Sequence, residues 1–211
     1  HRIDVHSIQA DLIDDVPFHS RVQALRVAPT RGRWSETLWV GTAGEGLWSY
    51  SDHWRHFGMP QPGQSAEGIA SNNVLALGID DDGTLWIGTN GNGVSLFNPD
   101  GLPIFWGGEN WRTLTTREDL TADAVASIAL DSSGTAWLAT IAGISRLDTR
   151  SWWKLTAPDQ PAIENATTAF VDREGRIWFG SDGLGVIVID GDVIRLVSAE
   201  SGGIPENMVR S

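Results

Sequence analysis

The chain has 211 residues, no cysteine and a net charge of −12, with 15 Lys and Arg against 27 Asp and Glu. That balance argues against nucleic acid, whose binding needs a basic surface to release counterions, and against an anionic membrane surface; no apolar run approaches the roughly 20 residues of a membrane helix. Without cysteine there are no disulfides, thiolate metal sites or thiol nucleophiles, while 24 glycines and 41% apolar residues fit a turn-rich β protein.

Residues 1–20 carry Ile3, Val5, Ile8, Leu12 and Ile13 and read as a lead-in or a strand left from a preceding unit. From residue 21 one pattern recurs. An apolar strand starts near Val22, a basic connection from Pro29 to Glu36 leads to Leu38-Trp39-Val40-Gly41-Thr42, Gly44-Glu45-Gly46 turns into Leu47-Trp48, and Trp54 to Phe57 closes the unit. The second copy runs from Val74 to Ile79, through Asp80-Asp81-Asp82-Gly83 to Leu85-Trp86-Ile87-Gly88-Thr89, then through Gly91-Asn92-Gly93 to Phe97, and ends on Trp111 to Leu114. The third has Val125 to Leu130, Asp131 to Gly134, Ala136-Trp137-Leu138-Ala139-Thr140, Gly143 to Leu147 and Trp152 to Leu155. The fourth has Thr168 to Val171, Asp172 to Gly175, Ile177-Trp178-Phe179-Gly180-Ser181, Gly183 to Ile189 and Val193 to Val197. Asp and Gly close the hairpins because both tolerate the left-handed backbone of a tight turn. The tail from Ile204 to Ser211 matches Ala70 to Val74 and Thr121 to Val125, so it reads as the start of a further inner strand.

Four Trp-centred phrases at intervals of about 40–50 residues predict one four-stranded sheet per repeat and a β-propeller of about four blades. The expected divisions are 1–20 lead-in, 21–66, 67–117, 118–160 and 161–200 as blades, and 201–211 as the beginning of another. Blades pack face to face, so Trp39, Trp86, Trp137 and Trp178 are expected to fill the space between sheets, with the small residue that follows letting the next sheet approach. Four blades plus fragments leave strands uncovered at both ends. A small ring completed by residues 1–20, a larger ring made by two chains and an open arc all stay open.

The combined pattern, with Asn73 to Val94 as its best copy, resembles the two-component regulator propeller repeat. That resemblance implies the extracytoplasmic sensor region, periplasmic or extracellular, of a bacterial hybrid histidine kinase or related regulator, often a seven-bladed ring, with carbohydrate-derived ligands. It implies signal transduction by an attached output domain and no catalysis by the propeller. Ala139 in place of glycine, the single Gly143, and the basic insertion of the first repeat depart from the pattern.

Propellers bind ligands on the face made by the loops after the second strand and the loops joining blades. The first set offers Glu45, Asn90, Asn92 and Asp182, the second Asn72, Asn73, Glu118, Asp119, Asp123, Glu164, Asn165, Glu206 and Asn207. Amides and carboxylates converging there suit sugar hydroxyls, although turns call for the same residue types. Asp80-Asp81-Asp82-Gly83 lacks the ligand spacing of a calcium loop and reads as a hairpin, as does its likeness to the structural aspartate box of sialidases. His53 and His56 stand three apart, which on a strand disfavours a shared metal, and no histidine motif like that of the streptogramin lyases occurs. Neither a nucleophile elbow nor a phosphate loop is present. The expectation is therefore a non-catalytic sensor segment with no cofactor and no metal, partnered by a small molecule or glycan. The alternative is a protein-interaction scaffold that self-associates through open blade edges or uses Trp54, Trp111, Trp152 and Trp153; a lyase or hydrolase comes last.

Overall fold

The computed structural model describes residues 16–28, 37–60, 67–102, 108–148 and 163–210, and the backbone of 152–154. Residues 1–15, the basic connection 29–36, Leu155 and the side chains of Trp152 and Trp153 lie outside the described residues.

Each repeat folds as an antiparallel four-stranded meander whose strands pair in chain order. The first comprises β1 (Val22–Val27), β2 (Leu38–Thr42), β3 (Leu47–Tyr50) and β4 (Trp54–Phe57); the second β5 (Val74–Ile79), β6 (Leu85–Thr89), β7 (Val94–Phe97) and β8 (Trp111–Leu114). The third comprises β9 (Val125–Leu130), β10 (Ala136–Thr140), β11 (Gly143–Leu147) and β12 (Trp152–Lys154); the fourth β13 (Ala166–Val171), β14 (Ile177–Ser181), β15 (Val186–Asp190) and β16 (Val193–Val197). The inner strands β1, β5, β9 and β13 lie side by side in that order, each against the next.

Three apolar clusters glue the blades, and each contains one tryptophan from the earlier blade. Trp39 packs with Leu77 and Ile79, Trp86 with Val125 and Leu138, and Trp137 with Ala166, Ile177 and Phe179. These three rings are 0%, 3% and 6% exposed. The residue after next on the same side is small because the following inner strand arrives there. A Cβ on Gly41 would lie 2.5 Å from Val74 Cγ1, one on Gly88 3.1 Å from Val125 Cγ1, and one on Gly180 2.7 Å from Val209 Cγ1. Ala139 holds the same place in the third blade and is fully buried.

The Asp of each hairpin does more than permit a turn. Asp80, Asp131 and Asp172 accept the indole N–H of Trp86, Trp137 and Trp178 at 2.9, 3.0 and 2.7 Å through one oxygen, and backbone N–H groups of the turn through the other. In the first blade Ala28 occupies this position, as its N–H bond to the Thr37 carbonyl shows, and brings no carboxylate to Trp39. The three carboxylates differ electrostatically. Burial raises Asp172, but bonds from Trp178 and Arg176 outweigh it and hold its pKa at about 2; burial wins at Asp80, which is raised.

Acid should therefore act on the fourth blade through Asp172. The folded pKa of Asp172 lies below its ordinary 3.8, so its bonds add stability above that pH and lose it as pH falls from 3.8 toward 2. Asp80 has the opposite sign, since ionising a group with a raised pKa opposes folding. In thermal melts followed by tryptophan fluorescence, Asp172→Asn is expected to flatten the acid-side fall in Tm over this window. An unchanged fall in the variant would show that Asp172 does not set the acid limit.

The blades form an arc. Blades 1 and 4 share no packed pair of strands among the described residues, and each end shows an apolar face, with Leu25 and Val27 64% and 62% exposed at one end and Phe170 62% at the other. Trp178 points out of the last sheet and stays half-buried, with the Arg176 guanidinium 5.5 Å from its ring. At the first end, Phe18 of the lead-in packs on Trp48 and Trp54, at centroid distances of 5.7 and 5.5 Å. The tail continues the repeat: Met208 bridges Asp182 as Asn73 bridges Ala43 and Ala124 bridges Asn90.

Candidate functional site at the channel mouth

The inner strands begin irregularly, and in the same way each time. Pairing with the second strand slips between Val22 and Ala24, between Val74 and Ala76, between Ala166 and Thr168, and opposite Ala139 and Thr140 in the third blade. One residue per blade, Gln23, Leu75, Ala126 and Thr167, thus falls out of the ladder as a bulge, a device that re-aims a side chain at a sheet margin. Where the first three of these starts meet, a recess of about 390 Å³ opens, lined by Arg21, Val22, Gln23, Leu75 and Ala126. Its size is that of a small-ligand pocket.

Two polar atoms at the starts of these strands, Gln23 Oε1 and Asn73 Oδ1, are buried and accept no hydrogen bond. Leaving a buried acceptor unpaired costs about 1–3 kcal/mol, so the strand starts hold unspent bonding capacity. Arg21 is exposed at the rim, with no ion pair among the described residues.

The loop residues singled out from sequence lie on this same face, and many are engaged in holding blades together. Asn72, Asp123 and Asn207 do one job three times. Their backbone carbonyls accept N–H bonds from the preceding hairpin, Gly44 and Gly46, Gly93, and Gly183 and Gly185 respectively. Their side-chain oxygens accept the N–H of Met59, Thr116 and Ala199, each two residues beyond the preceding outer strand, at 2.9, 2.6 and 2.7 Å. The Asn207 amide also donates to Glu200 at 3.1 Å. Each residue staples hairpin, outer strand and next blade.

Glu45 is tied to the lead-in, accepting from the His19 and Ser20 backbones and the Ser20 hydroxyl; the His19 N–H bond contributes most to holding its carboxyl below the ordinary range. Glu118 accepts from Thr115 N and Oγ1, both at 2.8 Å, across a short turn that Asp119 ends at φ 71°. Asn73 and Asn165 give their carbonyls to the N–H groups of Asn90 and Asp182. Asn90, Asn92, Glu164, Asn165, Asp182 and Glu206 are exposed, and Asp182 accepts from Arg210 at 3.4 Å. None of the loop residues singled out from sequence lines the recess. The signal was present: the bulged residue follows the first apolar residue of every inner strand, but Gln, Leu, Ala and Thr share no chemistry that marks them.

His53 and His56 sit at the outer strand of blade 1. His53 Nδ1 lies 2.9 Å from Asp52 Oδ1, and His56 Nε2 lies 2.8 Å from the Glu45 carbonyl. No group of three His, Asp or Glu side chains suited to a metal occurs among the described residues. Trp111 stacks on Phe97 at 4.2 Å, beside Phe57, and belongs to the first interblade cluster; Trp54 is half-buried against Phe18 and Tyr50.

Repeated four-stranded blades set face to face around adjoining inner strands define a β-propeller. Residues 68–91 match the family described as two component regulator propeller, so the second blade carries that repeat. Among solved structures the chain is similar to the extracellular domain of BT3049 of B. thetaiotaomicron, described as a hybrid two component system, with TM-score 0.70 and 19% identity over 91% of this chain and 25% of that one. It is similar also to the extracellular domain of BT4673 from the same organism, described as a one component system, with TM-score 0.67 and 20% identity over 88% of this chain and 26% of that one. Virginiamycin B lyase from Staphylococcus aureus shares the fold at TM-score 0.60 and 15% identity, over 87% of this chain and 58% of the lyase. The chain spans about a quarter of the length of the two extracellular domains. No curated protein sequence matches it. Among the described residues no helix is long and apolar enough to cross a membrane.

Proposed function

We propose that the chain is a ligand-sensing propeller segment of a bacterial signalling protein, periplasmic or extracellular, that binds a small carbohydrate-derived molecule without transforming it. The observation that supports this most is the recess at the channel mouth, where three inner strands present their bulged residues, Gln23, Leu75 and Ala126, and the buried Gln23 Oε1 lacks a donor among the described residues. Likeness to extracellular domains of two-component-type proteins supports the sensing role. His53 and His56 stand at the outer strand of blade 1, engaged with Asp52 and the Glu45 carbonyl, away from the recess, which favours binding over lyase chemistry there.

A glycan array followed by calorimetry on the positive compounds tests the reading. Leu75 lines the recess and is only half-buried, so Leu75→Trp fills the cavity without disturbing the interblade clusters. Binding is expected to fall below detection while Tm moves by no more than a few degrees. Full affinity in that variant would place the ligand elsewhere, and an array with no positive compound would remove the sensing role for carbohydrate.

The exposed apolar faces at the two ends support a second reading, association of blade edges between chains. A sedimentation mass well above the 22.9 kDa of one chain would favour it.

A further inference from the structure

The recess runs against the charge of the chain that forms it. The whole carries −12, yet the lining consists of Arg21 with Val22, Gln23, Leu75 and Ala126, and includes no carboxylate. A second cation stands at the corresponding strand start in the tail. Because Met208 occupies the bridging place of Asn73, Arg210 holds the strand position of Gln23 and Leu75, where Asp182 accepts from it at 3.4 Å. Arg21 has no such acidic neighbour bonded to it among the described residues.

Three demands on a ligand follow. A planar guanidinium at the rim is matched by a planar oxyanion, which it binds through two parallel N–H bonds. The Gln23 amide oxygen, buried without a partner among the described residues, requires an O–H or N–H donor; the terminal torsion of the amide is soft, so turning its oxygen into the recess meets little resistance. Val22, Leu75 and Ala126 offer an apolar surface to C–H groups. A neutral sugar meets the second and third demands and leaves Arg21 unmatched, whereas a simple carboxylic acid meets only the first and third.

We propose that the recess selects a sugar acid, with its carboxylate on Arg21 and a ring hydroxyl donating to Gln23. This deepens the sensor reading given above and rests on it. The bulge at Gln23 is what makes the contact available: with regular pairing, the strand would place that amide in the ladder's alternation rather than at the recess.

Calorimetry on the purified chain with three probes tests the proposal: digalacturonate, its dimethyl ester and maltose. Digalacturonate is expected to bind at least tenfold more tightly than its ester, with the difference shrinking as salt is raised. Arg21→Gln is expected to abolish that difference and leave the affinity for the ester within about twofold. Arg195→Gln removes the same charge from an exposed position on the outer strand of blade 4 and should leave all three affinities unchanged. Gln23→Leu is expected to weaken acid and ester alike, since both present hydroxyls. Equal affinity for acid and ester, or a preference that survives Arg21→Gln, would overturn the proposal while leaving a neutral-sugar sensor standing. Binding by none of the three probes also overturns it, and the glycan array then decides the sensor reading separately.

Discussion

Trp86→Ala is expected to lower the unfolding free energy by about 3–5 kcal/mol, the usual cost of deleting a large buried aromatic ring. The ring is 3% exposed and fills the gap between blades 2 and 3, where it touches the cluster of Val125, Ala136 and Leu138. A second loss accompanies the cavity, because Asp80 Oδ2 accepts the indole N–H at 2.9 Å and is left in a largely buried place without it. The gap closes little, since β6 is fixed in register by ladders to β5 and β7, and β10 of the next blade by ladders to β9 and β11. Trp178→Ala makes the comparison informative. That ring has the same hydrogen bond to its aspartate, at 2.7 Å, but stands half-buried on the outer face of blade 4 with no sheet beyond it among the described residues. Its removal should cost clearly less. Equal losses in urea melts of the two variants would mean that ring burial between blades is not what makes these residues matter.

Gly93→Ala is expected to be as damaging, at about 2–5 kcal/mol when overpacking and left-handed strain are taken together, and to prevent folding if the upper figure applies. Gly93 has φ 84°, and a Cβ there would stand 2.0 Å from the Leu114 carbonyl oxygen, a backbone atom held in the outer strand. The same relation recurs at Gly46 and Gly185, whose Cβ atoms would meet the carbonyls of Phe57 and Val197 at 2.6 and 2.4 Å. Gly91, two residues earlier, provides the control: its φ is 96°, but nothing lies within 4 Å of the added carbon. Gly91→Ala should therefore cost only the conformational strain, about 1–2 kcal/mol. Were Gly93→Ala to melt like Gly91→Ala, the close passage of the outer strand under the hairpin would be wrong.

These two predictions separate what a repeat signature means physically. Of the two glycines in Gly91-Asn92-Gly93, the first satisfies a backbone angle and the second satisfies an angle and a contact. The pattern looks symmetrical in sequence, and only the passage of the fourth strand distinguishes the positions. The Asp of the hairpin behaves in the same way. Asp80, Asp131 and Asp172 read as turn residues, which they are, but their second oxygens hold the tryptophan six residues on. That bond depends on the hairpin returning the ring over the turn, a relation that spacing alone does not display.

The candidate site shows the same division. Asn72, Asp123 and Asn207 were legible as polar residues at the crossings between blades, and the crossings are where they lie. Their oxygens are taken by backbone N–H groups from just past the end of the preceding sheet, a use that residue type alone does not reveal. Gln23, by contrast, carries no motif. It becomes part of a recess because a register slip puts it there, together with Leu75 and Ala126 from two other blades.

The sequence by itself determined the blade: four copies of one local pattern, with turn residues that close each hairpin and an alternation that assigns tryptophan to one face. Those are short-range properties, fixed by backbone angles and side-chain size within some forty residues. The tertiary structure alone decided which faces stay open, and where a recess forms whose guanidinium and amide oxygen are unpaired among the described residues. Each of these depends on atoms brought together from different blades, and local pattern does not encode such distances.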